Sequence, residues 1–281
     1  MPVILNTLTE ALSVNANKVD VDKIVTTISY DKSLAAQCLR MANSALYRNR
    51  GDVATIRDAV LTLGLWRIRD LAFSCNLPLM FSNLSSVVPK ETFWRHSLAT
   101  GYVAQKLGCE LQNVQNEQLY LAGLLHDIGI LINAILFPDD FRNIMEEAAR
   151  DHSPVWPIEK RVLGFTHAES GRIIADLWRL PTEVGEVIEY HHGPEAQPTN
   201  NEVTLIVELA DKLCWKFGLG YGYSMSADPG EFANDGPQIL RDKFTKASQL
   251  RTEEYLPKLV AHMAAARELA DRVFGLASVD N

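Results

Sequence analysis

The sequence predicts an all-α protein, and three observations support that fold class. Apolar residues recur at helical spacing along most of the 281-residue chain, capping residues stand ahead of the apolar stripes, and no segment shows a convincing strand pattern. With 47% hydrophobic residues, the composition is that of an ordinary globular protein. The length is sufficient for a sizeable core, in one large domain or two smaller ones.

The first predicted helices begin at residues that can cap a helix. Asp20 and Asp31 each precede a stripe of apolar residues with helical spacing. The segment from Thr55 to Asp58 fits a relaxed capping box, in which side chains at both ends satisfy free backbone N–H groups. Gly64 is predicted to end that helix, and a new apolar stripe follows it directly.

A break in this pattern over 77–91 contains two prolines and four serine or asparagine residues, so it is the predicted link to the rest of the chain. Further helices are predicted over 90–107, 117–136, 139–150, 157–178, 182–191 and 202–217. Pro157 and Pro181 lie where helices begin, a position at which the missing N–H of proline does no harm. A Gly-, Ser- and Asp-rich stretch over 218–236 predicts a long loop, and an amphipathic helix over about 257–275 is predicted to follow it.

Charge and cysteine usage narrow the functional class. A net charge of −8 argues against a general affinity for nucleic acid or for an anionic membrane. The four cysteines are far apart and form no Cys-x-x-Cys pair, as is typical of free thiols in a reducing compartment. The N-terminus lacks the basic start and apolar core of a signal peptide, and the apolar run 121–136 contains ionisable residues. We therefore expect a cytoplasmic protein without a nucleic-acid or membrane partner.

Histidine and aspartate residues recur on the central helices among apolar neighbours. They are His96, His126, Asp127, His167, His191, His192 and Asp211. Each could be a hydrogen-bonded core residue, but an unpaired buried polar group costs about 1–3 kcal/mol. A metal site shared by several helices accounts for the whole set. A nitrogen and oxygen set without sulfur suits one or two divalent transition-metal ions, namely Fe, Mn, Zn, Ni or Co.

Neighbouring features carry less weight. His126 and Asp127 differ by about 100° around a helix, yet their unequal reach could let both touch one ion, or let Asp127 bridge two. His152 is expected in a surface loop and His262 on a helix face, so neither is assigned to the site. The glycine-rich segment 218–222 follows a helix and opens none, which favours a turn over a phosphate-binding loop.

Two blocks of sequence resemble a known family. The first is 28–73, with Asn43-Ser44-Ala45 and the AVLTLG run of 59–64 as its recognisable points; the second is the series from His96 to Asp211. Together they resemble the HDOD (HD-related output domain) branch of the HD superfamily, which is named for its His-Asp doublet. The resemblance covers most of residues 1–217, and the first block separates HDOD from other HD proteins.

The resemblance implies a multi-helix HD-type bundle with an N-terminal helical layer packed on it. We expect a single HDOD-type domain over 1–281, divided into that layer (1–84), the metal-binding bundle (85–217) and, outside the resemblance, a loop with a C-terminal helix of unassigned role (218–281). HD enzymes are metal-dependent phosphohydrolases. By this resemblance one ion would be held by His96, His126, Asp127 and Asp211. A second would be held by His167, His191 and His192, with Asp127 bridging. HDOD members are generally described as having lost ligands, whereas this set looks intact.

The chain also departs from the related phosphodiesterases. They carry Gly then Lys after the doublet, whereas this chain has Gly129 then Ile130, and no Gly-Tyr-Pro loop follows His192. The phosphate would then be held by metal and by nearby cations. Candidates by sequence proximity are Arg95, Lys160 and Arg172. Cyclic-dinucleotide hydrolysis is therefore disfavoured.

The leading expectation is a bacterial-type signalling or regulatory protein with a retained metal site, which senses a phosphorylated small molecule or a partner protein with slow or no turnover. The first alternative is an active metal-dependent phosphohydrolase, either a phosphomonoesterase or a nucleotide phosphodiesterase, in which Asp127 is the candidate catalytic residue. The second is a metal-free interaction module whose histidines are satisfied by hydrogen bonds.

Overall fold

The structure, a computed structural model, describes residues 2–13, 19–43, 52–82, 87–112, 117–193, 202–221 and 252–274. Those residues form α-helices, one π-helical turn and connections, and no strand occurs among them, so the all-α prediction is confirmed. The loop predicted over 218–236 lies outside the described residues from 222 onward.

The helices run through two compact units, Met1–Phe81 with Trp178–Leu180, and Ser82–Leu177 with Pro181–Asn281. In the first unit they are α1 (Val3–Ser13), α2 (Val21–Tyr30), α3 (Lys32–Ala42), α4 (Ile56–Leu63) and α5 (Leu65–Met80). In the second they are α6 (Lys90–Leu107) with a π-helical turn (Gly108–Gln112), α7 (Leu119–Leu125), α8 (Ile128–Leu136), α9 (Pro138–Asp151), α10 (Val155–Leu163), α11 (His167–Leu177), α12 (Thr182–Tyr190), α13 (Glu202–Lys216) and α14 (Thr252–Phe274). Helix α1 was not predicted from the sequence.

The helix starts of the first unit follow their capping residues. The Asp20 carboxylate accepts from the backbone N–H of Lys23, and the Asp31 carboxylate caps α3 in the same way. The Thr55 hydroxyl accepts from the Asp58 backbone N–H, which confirms the predicted cap. Gly64, at φ 78°, separates α4 from α5, as predicted. Such a positive φ is costly for a residue with a Cβ.

The Asn43 side chain closes the connection between α3 and α4. Its amide donates to the Val53 carbonyl oxygen and its carbonyl accepts from the Val53 N–H, both at 2.8 Å. Both backbone groups of Val53 are therefore satisfied by one side chain, as a neighbouring strand would satisfy them. This explains why an amide is suited to position 43.

Two predicted continuous helices are interrupted, and both predictions were wrong in that respect. The helix predicted over 117–136 breaks at Asp127 (φ −100°, ψ 11°), between α7 and α8. The helix predicted over 157–178 ends at Leu163, because Gly164 adopts a left-handed conformation with φ 83°. Apolar periodicity continues across both breaks, so periodicity alone did not reveal them.

Glycines allow the helices of the second unit to approach closely. A Cβ on Gly123 of α7 would lie 2.7 Å from the Cα of Gly101 on α6. A Cβ on Gly129 of α8 would lie 1.9 Å from the carbonyl oxygen of His167, at the start of α11. No side chain fits at such distances, so these glycines permit the approach that places the His-Asp doublet beside its partners.

Helix α14 packs along α6, which gives the C-terminal segment a structural role. Asp271 pairs with Arg95 at 2.6 Å, and His262 bonds Glu110 at 2.8 Å. The guanidinium of Arg267 donates to the carbonyl oxygen of Phe217 at 2.7 Å. The C-terminal helix therefore holds both α6 and the turn that follows α13.

Within the described residues, the stretch Leu119–Leu136 is long and apolar enough to cross a membrane, by length and composition. In the structure 83% of it is buried inside the protein, and it is broken at the His-Asp doublet. It therefore forms part of the core of the second unit.

We expect Gly129→Ala to lower the free energy of unfolding by about 3 kcal/mol, the upper end of the usual cost of overpacking. The added methyl group meets the backbone of His167, which cannot move aside without displacing α11. Thermal or urea unfolding measures the change. Gly193→Ala, where no atom lies within 4 Å of the added Cβ, is the control. Equal stability of the two variants would show that the close approach of α8 and α11 is not needed.

Candidate metal centre

The residues of the predicted ligand set come together in the second unit. His96 projects from the middle of α6, His126 and Asp127 occupy the break between α7 and α8, and His167 begins α11. His191 and His192 follow the end of α12, and Asp211 lies on α13. Helix ends and a helix break supply five of these seven positions, where successive side chains need not point about 100° apart around a helix axis.

The first set surrounds one face of the Asp127 carboxylate. Oδ2 of Asp127 lies 3.0 Å from Nε2 of His126 and 3.8 Å from Nε2 of His96. Oδ1 of Asp211 lies 3.0 Å from Nε2 of His96, and Nε2 of His96 lies 3.4 Å from Nε2 of His126. Two ligands about 2.1 Å from one ion are separated by about 3.0–3.4 Å at angles between 90° and tetrahedral. Three of the four separations lie in that range, and the 3.8 Å between Asp127 and His96 exceeds it by about 0.4 Å, so the spacing is close to that of a site for one ion.

The second set surrounds the other oxygen of the same carboxylate. Oδ1 of Asp127 lies 3.2 Å from Nε2 of His167 and 3.3 Å from Nε2 of His191. The Nε2 atoms of His167 and His192 are 2.9 Å apart. Asp127 thus directs one oxygen to each set, which is the arrangement of a carboxylate that bridges two ions.

Each buried imidazole is oriented by an acceptor on its other nitrogen. Nδ1 of His96 donates to the Leu219 carbonyl oxygen at 3.1 Å, and Nδ1 of His126 donates to that of Gly123 at 2.8 Å. Nδ1 of His191 donates to the carbonyl oxygen of Ile188 at 2.9 Å. A neutral imidazole protonated at Nδ1 presents a lone pair at Nε2, so the backbone selects the tautomer that a metal needs.

His167 has a carboxylate as its acceptor instead of a backbone carbonyl. Its Nδ1 and its backbone N–H both donate to Oε2 of Glu159, at 2.5 and 2.9 Å. Glu159 is fully buried, and its other oxygen accepts from the amide of Asn133 at 2.9 Å. A histidine backed by a carboxylate is a more basic ligand than one backed by a carbonyl, so this chain strengthens the second set.

Two buried polar atoms give a direct test of whether an ion fits. Nε2 of His191 and Oδ1 of Asp211 are buried and form no hydrogen bond of acceptable geometry, although Oδ1 of Asp127 and Nε2 of His96 lie 3.3 and 3.0 Å from them. Leaving such atoms unsatisfied costs about 1–3 kcal/mol each. Both point into the ligand sets, and a divalent transition metal would satisfy both. The residues present therefore fit a metal centre.

The electrostatics of the metal-free site favour bound protons. Burial lowers the pKa of His167, but Glu159 and Asp127 outweigh it and raise that pKa to about 10. For His126 also, Asp127 and Asp211 outweigh burial and hold the pKa well above its usual value. Burial would raise the pKa of the Asp127 carboxyl, but the surrounding imidazoles hold it well below its usual range. Imidazolium ions thus balance the carboxylates where metal ions would.

A cavity of about 360 Å³ opens beside both sets. Its wall includes Asp127, Asp211, His167, His191 and His192. Ile130 also lines it, so the position occupied by lysine in the related phosphodiesterases is an apolar wall here. A ligand in this cavity would touch the metal-binding residues directly.

The three cations chosen by sequence proximity are not among the residues that line this cavity. Arg95 pairs with Asp271. Lys160 pairs with Glu169 at 3.0 Å, and Arg172 bonds Asp176 and Glu189 at 3.1 and 3.2 Å. We therefore withdraw them as phosphate-binding residues. The cations that do line the cavity are Lys212 and Lys216 of α13.

Tyr221 is a site residue that the sequence analysis did not identify. It is 3% exposed, and its hydroxyl donates to Oδ2 of Asp127 at 2.5 Å. It lies in the glycine-rich segment 218–222, for which the sequence favours a turn over a phosphate-binding loop. Glu159 was missed as well, although a carboxylate in helical register with the buried Val155 and Ile158 was a signal available in the sequence.

Comparison with known proteins places this arrangement in a family. The sequence model of the HDOD domain matches residues 1–194. The chain belongs to the HDOD domain family. Asp211 and Tyr221 of this HDOD protein lie beyond the matched residues, so part of the candidate metal centre is contributed by the following segment.

Solved structures share the fold over nearly the whole chain. An HDOD domain protein of unknown function from Geobacter sulfurreducens has a TM-score of 0.80 at 24% identity, covering 97% of this chain and 92% of that one. A candidate phosphohydrolase from Shewanella amazonensis SB2B has a TM-score of 0.76 at 20% identity, with 97% and 94% covered. A candidate signal transduction protein from Marinobacter aquaeolei VT8 has a TM-score of 0.71 at 25% identity, with 97% and 59% covered. The first two structures, at 24% and 20% identity, show that this chain shares their fold.

A relative found by sequence comparison is longer than this chain. An uncharacterised protein of Treponema pallidum (strain Nichols) is 27% identical over 180 residues, which are 62% of this chain and 34% of that protein. The matched region thus spans about a third of that relative's length.

We expect Glu159→Gln to weaken binding of Zn²⁺ to the second set by about 10–100-fold, the usual effect of changing the partner of a metal-bound histidine. The neutral amide removes the charge that raises the basicity of His167. Competition with a chelating dye measures the affinity. Glu147→Gln, at a surface carboxylate paired with Arg161, is the matched control. Unchanged affinity in Glu159→Gln would exclude a metal-supporting role for this carboxylate.

We expect Zn²⁺ binding to the metal-free chain at neutral pH to release about two protons, one each from His126 and His167, because both pKa values lie above neutrality. A protonated imidazole cannot bind a metal, so the apparent affinity should rise with pH and fall as the site is acidified. Calorimetry in buffers of different ionisation enthalpy counts the protons. No proton release, together with an affinity independent of pH, would contradict this electrostatic description.

Proposed function

We propose that this HDOD protein is a cytoplasmic signalling or regulatory protein that retains a two-ion metal centre and binds a phosphorylated small molecule or partner segment at it. The observation that carries the proposal is the orientation of the imidazoles. All four buried histidines of the set donate from Nδ1, which leaves their Nε2 atoms facing the two oxygens of Asp127. In this orientation each Nε2 can offer its lone pair to an ion.

Unsatisfied polar atoms in the two sets disfavour a metal-free interaction module. In that reading the polar groups would satisfy one another, yet Nε2 of His191 and Oδ1 of Asp211 form no hydrogen bond of acceptable geometry with the carboxylate and imidazole beside them. Nε2 of His167 faces Nε2 of His192 at 2.9 Å, so one of the two must carry a proton for the pair to bond. An ion between these nitrogens would satisfy both lone pairs together.

Charge in the cavity wall supports a phosphorylated ligand. Asp127, Glu208 and Asp211 contribute three carboxylates, and Lys212, Lys216 and the imidazolium of His167 contribute three positive charges, so the wall without ions is close to neutral. Divalent ions that displace the proton of His167 would make the wall positive. An anion such as phosphate would then be attracted to the cavity more strongly in the metal-loaded protein.

An active phosphohydrolase is the second candidate, and the position of Asp127 favours it. The carboxylate offers one oxygen to each ligand set, and the cavity reaches it. When bound, two ions in such a site polarise a phosphate ester and lower the pKa of water. Within the chain, Tyr221 would hold the carboxylate through a hydrogen bond. The apolar Ile130 lines the cavity at the position where the related phosphodiesterases have a lysine that could bind phosphate. That apolar wall is our reason for placing sensing ahead of turnover.

We expect the purified full chain to contain close to two transition-metal ions after loading with Mn²⁺, Fe²⁺ or Zn²⁺ and removal of excess metal. Asp127→Ala should lose most of both, because it removes a ligand from each set. Elemental analysis by mass spectrometry measures the content. His152→Asn, at an exposed histidine outside both sets, is the control. Less than about 0.2 ion per wild-type chain would contradict the metal centre. Structural and catalytic metal sites bind tightly enough to stay largely occupied after excess metal is removed.

Turnover of phosphomonoesters, nucleotides and cyclic dinucleotides by the same loaded samples distinguishes the two candidates. Metal-dependent turnover that Asp127→Ala abolishes and His152→Asn leaves unchanged would establish the phosphohydrolase. Saturable binding of a phosphorylated compound without turnover would establish the sensor.

A further inference from the structure

We propose that the cavity beside the metal centre is a subsite for a phosphate ester that carries one planar ring, with Lys212 and Lys216 contacting the phosphate and Trp156 and Trp215 contacting the ring. This inference rests on the proposed function, because the phosphate would also face the metal-binding residues. It adds to that function a planar ring on the ligand and the four residues that would contact the ligand.

The two lysines are placed by the helix that also carries a ligand of the first set. Asp211 lies on α13, Lys212 is the next residue, and Lys216 follows one turn later, where spacing of i and i+4 puts side chains on the same helix face. Both line the cavity together with Asp211. Lys212 also pairs with Glu208 at 2.6 Å, which holds its ammonium group at the cavity wall. The two lysines thus share the cavity wall with Asp211, a residue of the first set.

The aromatic residues line the same cavity from two different helices. Trp156 belongs to the first turn of α10, and its ring stacks on that of His192 with the planes at 24° and the centroids 5.8 Å apart. Trp215 lies on α13, 5.4 Å from the ring of His96 and 5.3 Å from that of Tyr221. Each ligand set therefore has an imidazole ring that packs against a tryptophan ring of the cavity wall.

Trp156 is 38% exposed although it is one of the largest apolar side chains in the chain. Exposed tryptophan beside a polar site is unfavourable to leave in water, and its flat face is well suited to stacking on a planar ring. The first turn of α10 starts after Pro154, which also lines the cavity and fixes the backbone there. The ring is therefore presented by a rigid segment at the edge of the cavity.

Volume limits the size of the ligand. About 360 Å³ lies near the lower end of the roughly 300–1,000 Å³ of small-molecule pockets. A single ring with one phosphate group is compatible with this space, whereas a cyclic dinucleotide has two ring systems and two phosphates. Size therefore agrees with the missing lysine and missing Gly-Tyr-Pro loop in disfavouring cyclic dinucleotides.

The test uses two non-hydrolysable probes of nearly equal size, phenylphosphonate and cyclohexylphosphonate, with the metal-loaded full chain and calorimetric detection. Simple burial of apolar surface would favour the cyclohexyl group, whereas stacking favours the phenyl group. We expect phenylphosphonate to bind about tenfold more tightly, as stacking of one ring on an aromatic side chain implies. Trp156→Leu should abolish this preference while still binding cyclohexylphosphonate.

The double variant Lys212→Met/Lys216→Met should weaken binding of both probes by about tenfold or more, the loss expected for charge-assisted hydrogen bonds. Lys258→Met, at an exposed lysine of α14, is the matched control and should bind like the wild type. Elemental analysis of every sample is part of the experiment. Metal-loaded protein that prefers the cyclohexyl probe, or binds both probes equally, overturns the ring assignment. Binding unaffected by the lysine variant overturns the phosphate assignment. Wild-type chain that holds no metal overturns the proposed function, and this inference with it.

Discussion

The carboxylate of Asp127 is the group on which the organisation of the second unit depends. It is 4% exposed, and its two oxygens lie within about 3.0–3.8 Å of imidazole nitrogens from four different chain segments. A charged group so deeply buried is strongly unfavourable unless opposite charge and hydrogen-bond donors surround it. Helices from distant parts of the sequence must therefore end, break or cross at this point, which is what α6, α7, α8, α11 and α12 do.

Helix packing satisfies this requirement at specific positions. The break after His126 turns Asp127 out of a continuous helical register, so that adjacent residues reach the same site from different directions. Glycines at 101, 123 and 129 remove the side chains that would keep the helices apart. The carbonyl oxygen of Gly123 then accepts from His126, so one glycine both permits the close approach and orients a ligand. Packing and site chemistry are thus served by the same residues.

Much of this could be predicted from the sequence, and the exceptions have physical reasons. The capping residues, the helix ends and the recurrence of histidine on apolar helices are local signals, so the fold class and the ligand set could be proposed without a structure. The break at Asp127 is not visible in apolar periodicity, because the residues on both sides are buried. Glu159 and Tyr221 act through contacts across 8 and 94 residues of chain, and no pattern of spacing reveals the second of these. Proximity in sequence also misled the choice of Arg95, Lys160 and Arg172, whose side chains pair with carboxylates away from the cavity and do not line it.

The segment after α13 has a consequence for how the boundaries of this domain should be drawn. The HDOD match stops at residue 194, yet the ring of His96 is held by the carbonyl oxygen of Leu219, and Arg267 holds the neighbouring Phe217. Asp211 lies beyond that boundary too. A fragment cut where the family match ends would keep the histidines of both sets and lose the acceptor that orients one of them. In this protein the chemically complete unit is longer than the unit that sequence similarity recognises.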